Sequence, residues 1–61
     1  MIELTTLHDE KFYLNIDRIE KMQVLSDTII TLIDGKVIRV LETPDEIIEK
    51  IIAFKRRIEW R

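Results

Sequence analysis

Cysteine is absent from this 61-residue chain, and histidine, serine, glycine, proline and tryptophan each occur once. Without cysteine there is no disulfide and no thiolate metal site, and a lone histidine, His8, leaves too few soft ligands for zinc. One glycine excludes a glycine-rich phosphate loop. The one serine, Ser26, and His8 both fall in expected turns, so no nucleophile is paired with a base in the way covalent catalysis requires. No apolar run approaches the ~18 residues of a membrane span. The opening MIELTTLHDE has acids where an export signal would have a basic region and then an apolar one. The chain is therefore expected to begin at Met1 and to stay in the cytoplasm.

A chain this short has room for one domain, residues 1–61, and buries only about 60% of the surface its unfolded form exposes. Small domains are usually reinforced by disulfides, metals or self-association. With the first two lacking ligands, a homo-oligomer is expected. The formal net charge is -2, but residues 50–61 hold Lys50, Lys55, Arg56, Arg57 and Arg61 against Glu59, so a basic end follows an acidic body.

Alternation of apolar residues predicts strands at about 2–7, 11–14 and 19–25, with His8, Asp9 and Glu10 turning between the first two. Asn15 and Asp17 suit a local turn, with Ile16 and Ile19 spaced to anchor a short helical turn. Two further strands are expected at 28–33 and 36–42. Asp34-Gly35 between them predicts a two-residue type I′ turn, because both central positions need positive φ. That register pairs Ile29 with Val40 and Thr31 with Ile38, leaving Ile30, Leu32, Val37 and Leu41 on one face and Ile29, Ile33, Ile38 and Val40 on the other. Neither face suits water, and the second set is the candidate oligomer interface.

Thr43-Pro44-Asp45-Glu46 predicts a helix start: Thr43 caps, Pro44 needs no amide partner, and Glu46 closes a capping box. Ile47, Ile51, Phe54 and Ile58 form an apolar stripe, widened by Ile48 and Ile52, over a helix at about 44–58. The expected fold is α+β: a meander of about five antiparallel strands in one small sheet, with the C-terminal helix on one face. The other face is to be covered by self-association or by the N-terminal hairpin. Paired carboxylates at Asp9-Glu10 and Asp45-Glu46 read as turn and cap residues, and no catalytic, cofactor or metal residue is assigned. Tyr13, Lys55, Arg56, Arg57, Trp60 and Arg61 are the candidate partner contacts. Cations beside Trp60 are also compatible with nucleic acid or an anionic membrane surface.

Taken in order, MIELTTL, FYLNIDRIEKM, DTIITLIDGKVIRV and EIIEKIIAFKRRI resemble the small FlbD family of bacterial flagellar proteins, also called the SwrD swarming-motility family. The matching features are M-I-x-L-T, Tyr13-Leu14-Asn15 followed by Ile19-Glu20, an acid-Thr pair before a strand with a downstream Gly-Lys, and a final helix ending in Lys-Arg. Two positions depart from the family pattern: Asp9-Glu10, where glycine is frequent, and Ile16, where proline is. The resemblance implies a non-enzymatic protein that supports flagellar motility, with flagellar motor or export proteins as partners and no small-molecule substrate. It implies a place at the cytoplasmic side of the flagellar base. The alternative is a regulator of flagellar genes that binds nucleic acid or a membrane surface through its basic end. The second hairpin and capped helix also look like about half of a LytTR DNA-binding domain, without that domain's basic loops.

Overall fold

A computed structural model describes residues 1–59. Five strands, β1 (Ile2–Thr5), β2 (Lys11–Leu14), β3 (Ile19–Val24), β4 (Thr28–Leu32) and β5 (Val37–Val40), precede one helix, α1 (Pro44–Glu59). A single 3₁₀ turn at Ile16–Arg18 separates β2 from β3, and the Asn15 side chain caps it by accepting the Asp17 amide at 3.0 Å. Ile16, the first residue of this turn, and Ile19, just after it, both pack on the core. Local side-chain capping and two apolar anchors suffice to place it, as the sequence predicts.

The fold is α+β, but the strands form two sheets and not one five-stranded meander. β1 pairs with β2, and β3, β4 and β5 pair in that order, all antiparallel. The 3₁₀ turn directs the chain away from β2, so β3 does not continue the first hairpin. Contact between the sheets comes from the other side: Thr6 forms an isolated bridge with Val40, and the Leu41 amide donates to the Thr5 carbonyl at 2.9 Å.

The β1–β2 and β4–β5 hairpins close with the same kind of three-residue loop. Leu32 and Lys36 bracket Ile33-Asp34-Gly35, with the Leu32 amide donating to Lys36 at 2.8 Å and the Gly35 amide donating to Leu32 at 2.9 Å. Thr6 and Glu10 bracket Leu7-His8-Asp9 with the corresponding bonds at 2.8 and 2.9 Å. The last loop residue is left-handed in each, with φ of 92° at Gly35 and 67° at Asp9. This is a type I turn followed by a left-handed residue, which needs one positive φ where a type I′ turn needs two. Asp34 therefore stays out of the left-handed region. Its carboxylate accepts the Lys36 amide at 3.1 Å and the Arg18 guanidinium at 3.2 Å.

The longer loop moves the second hairpin's register by one residue from the sequence expectation. Ile30 faces Ile38, Ile29 faces Arg39, Thr31 faces Val37 and Thr28 faces Val40. Met22 stands opposite Ile30 on the other side, and a bulge between Ile19 and Lys21 keeps β3 in step. Because a one-residue slip exchanges faces, the apolar sets are redistributed. Met22, Ile30, Ile38 and Val40 face inward, while Lys21, Gln23, Ile29, Thr31, Val37 and Arg39 face out. The second face is thus mostly polar. Ile29 is still buried, outside the core cluster, between its cross-strand neighbours Gln23 and Arg39. The set Ile29, Ile33, Ile38 and Val40 does not share a surface: Val40 is a core residue, Ile38 packs on the core, Ile29 points the other way and Ile33 is exposed in the turn.

The core is Ile2, Leu4, Ile30, Val40 and Ile47, one contribution from each of β4, β5 and α1 and two from β1. Phe12, Leu14, Met22, Leu32, Ile51 and Phe54 pack around it. Burying each large aliphatic side chain contributes roughly 1.5–3 kcal/mol before entropy is counted. The helix begins as predicted: the Glu46 amide donates to the Thr43 hydroxyl at 3.2 Å and the Thr43 amide to the Glu46 carboxylate at 2.8 Å. Ile47, Ile51 and Phe54 then carry its inner face.

The paired turns predict opposite responses to glycine. No atom lies within 4 Å of the Cβ that Gly35→Ala would add, so its expected cost of about 1–2 kcal/mol comes from the left-handed backbone alone. Asp9→Gly relieves the same conformation and is expected to raise stability by about 0.5 kcal/mol. Urea midpoints of the two variants check both signs.

Candidate functional site

Two places concentrate side-chain chemistry. The first is the joint between the sheets. Thr5, at the end of β1, is buried, and both its amide and its hydroxyl donate to the Glu42 carboxylate, at 2.9 and 2.8 Å. Burial pushes the Glu42 carboxyl up, but the two Thr5 donors, with help from its own backbone and from Lys50, more than offset this and hold it below the usual glutamate range. The arrangement is a charge-assisted clamp with both Thr5 donors engaged, which is structural chemistry and not a reactive group. Asp34 is similarly lowered, first by the Lys36 amide, but it lies in solvent.

The second place is a groove beside the C-terminal half of α1. One part, of about 520 Å³, is lined by Met1, Asn15, Ile16, Asp17, Phe54, Lys55 and Ile58. A neighbouring part, of about 430 Å³, is lined by Met1, Tyr13, Phe54, Arg57 and Ile58. Met1, Phe54 and Ile58 form the shared apolar floor, and Lys55, Arg57 and Asp17 stand at the rim. Four elements build it: the chain start, β2, the 3₁₀ turn and α1. Tyr13 projects from the outer face of the first hairpin, opposite Glu3, and is 68% exposed. It offers a ring with an apolar body and a polar tip.

Of the predicted partner contacts, the structure brings Tyr13, Lys55 and Arg57 to this groove, although Tyr13 lies more than forty residues before the two cations. Arg56 is exposed on α1 and lines neither part. Trp60 and Arg61 lie outside the described residues. Met1, Asn15, Ile16, Asp17, Phe54 and Ile58 were not singled out as contacts from sequence. Phe54 and Ile58 read there as ordinary core positions of the helix stripe, and Ile58 differs by being 44% exposed. His8 and Ser26 are exposed in separate connections. Among the described residues no three His, Cys, Asp or Glu side chains gather to hold a metal ion, and no helix is long and apolar enough to cross a membrane.

The fold and this surface define a small α+β protein with an open apolar groove rimmed by charge. Residues 1–59 match the family model FlbD, described as flagellar and swarming motility proteins. The chain belongs to that family. No curated protein and no solved structure matches it.

The clamp at Glu42 predicts an acid-sensitive fold. A carboxyl lowered in the folded state contributes stability that is present above its unfolded value and lost as pH falls through the folded one. Stability should therefore decline as pH drops below about 4.5. Glu42→Ala is expected to cost about 2 kcal/mol at neutral pH, since it strands two donors of a buried threonine, and to flatten this part of the acid limb. Urea unfolding of both proteins between neutral pH and about pH 3 measures it.

Proposed function

We propose that this chain is a non-enzymatic, oligomeric adaptor that supports flagellar motor function or assembly from the cytoplasmic side of the flagellar base. Membership of the FlbD family supplies the motility pathway. The observation that carries the adaptor reading is the convergence of Met1, Tyr13, Phe54, Arg57 and Ile58 on one groove from opposite ends of the chain. An apolar floor with rim cations suits a protein segment that presents an apolar side chain next to a carboxylate, from a motor or export component. The outer sheet face, with Lys21, Gln23, Thr31 and Arg39 among its residues, is less suited to this than the groove.

The test is a chromosomal replacement in a swarming host. Deletion is expected to impair swarming, and Tyr13→Ala combined with Arg57→Glu is expected to reproduce much of that defect at unchanged protein abundance. Both residues are exposed, so the fold should tolerate the change within about 0.5 kcal/mol. Normal swarming of the deletion strain overturns the motility role, and normal swarming of the double variant alone overturns the groove. Steeply salt-dependent binding of the purified protein to DNA or anionic vesicles would replace the adaptor with a polyanion-binding reading.

A further inference from the structure

The outer flank of α1 carries an exposed apolar pair with opposite charges before and after it. Ile48 and Ile52, one turn apart, are 45% and 44% exposed. Asp45 lies before them and Arg56 after them, both exposed, and neither is in an ion pair among the described residues. Asp45 and Arg56 are 11 residues apart, about three turns at 3.6 residues per turn, so they fall on one side of the helix, flanking the isoleucine pair.

We propose that this flank is where two copies of the chain pair, helix against antiparallel helix about a two-fold axis. The spacing is self-complementary. The midpoint between Ile48 and Ile52 is position 50, and the midpoint between Asp45 and Arg56 falls within one residue of it. One two-fold axis there therefore sets Ile48 against the second copy's Ile52 and Asp45 against the second copy's Arg56, each contact occurring twice. Antiparallel packing also places the positive N-terminal end of each helix beside the negative C-terminal end of the other. A parallel pair would instead oppose Asp45 to Asp45 and Arg56 to Arg56.

Area sets the strength. A standard interface takes about 800 Å² from each partner, roughly a sixth of the 4663 Å² accessible surface of this chain, and one flank of a 16-residue helix offers about half of that. The pair is accordingly weak and reversible. This proposal deepens and rests on the oligomeric part of the proposed function, and Arg57 of the groove lies off the flank that pairs.

Sedimentation equilibrium of the full chain between about 1 µM and 1 mM tests it, with circular dichroism to verify folding of each variant. The unaltered chain is expected to dimerise. Asp45→Arg and Arg56→Asp should each weaken association at least about tenfold, because each replaces two attractions by two repulsions. Mixing the two single variants in equal amounts should restore a dimer, as should combining both substitutions in one chain, and a merely destabilised fold would not be rescued in this way. A dimer unaffected by either charge reversal, or a mixture no more associated than its components, overturns the helix pairing and leaves the oligomeric adaptor standing. A monomer throughout the range overturns both, while the swarming phenotype of the groove variant reads the adaptor role separately.

Discussion

Everything in this fold that is not a hairpin depends on the seam where the end of β1 meets the end of β5. The Thr5 carbonyl accepts the Leu41 amide, Thr6 bridges Val40, and the Glu42 carboxylate takes both remaining donors of Thr5. These contacts join residues far apart in the chain, 37 positions for Thr5 and Glu42. They carry a large loop-closure entropy, which the apolar side chains flanking the seam offset: Leu4 and Val40 lie on either side of it, both almost wholly buried. A carboxylate is well suited to the position, because it accepts two donors at once where the chain leaves the sheet.

The seam also explains how a groove arises in so short a chain. Fixing β1 beside β5 places the first hairpin and the start of α1 on a common core, with Ile2 and Leu4 meeting Ile47. From that point α1 runs for 16 residues, longer than the packing around Ile47, Ile51 and Phe54 requires. Its last turns lie beside Met1, Tyr13 and the 3₁₀ turn, where the fit is open. Met1, Phe54 and Ile58 leave an apolar floor open there.

Local chemistry made much of the structure legible in advance. The five strands, the Asn15-capped 3₁₀ turn and the helix from Pro44 each lie within about two residues of their expected positions at most ends, because capping and alternation act over a few residues. The second hairpin was misjudged for a physical reason. Asp34-Gly35 is compatible with a two-residue turn, yet a three-residue loop needs left-handed backbone only at Gly35 and lets the Asp34 carboxylate cap Lys36. The register then follows from packing, which favours Ile38 opposite Ile30 over Arg39 opposite Ile30. With it, the proposed surface of Ile29, Ile33, Ile38 and Val40 separates into core, outer face and turn.

By itself, then, the sequence determined the elements, the helix cap, the apolar stripe of Ile47, Ile51 and Phe54, and the family, since these rest on residues close in the chain or on their order along it. Tertiary structure alone decided that β1 joins β5 and not a continuing meander, that the strands divide into two sheets, and that Tyr13 and Arg57 share a groove. Those outcomes depend on contacts between residues dozens of positions apart, whose energies come from burial and register. The local pattern of side chains carries no record of such choices until the chain has closed on its core.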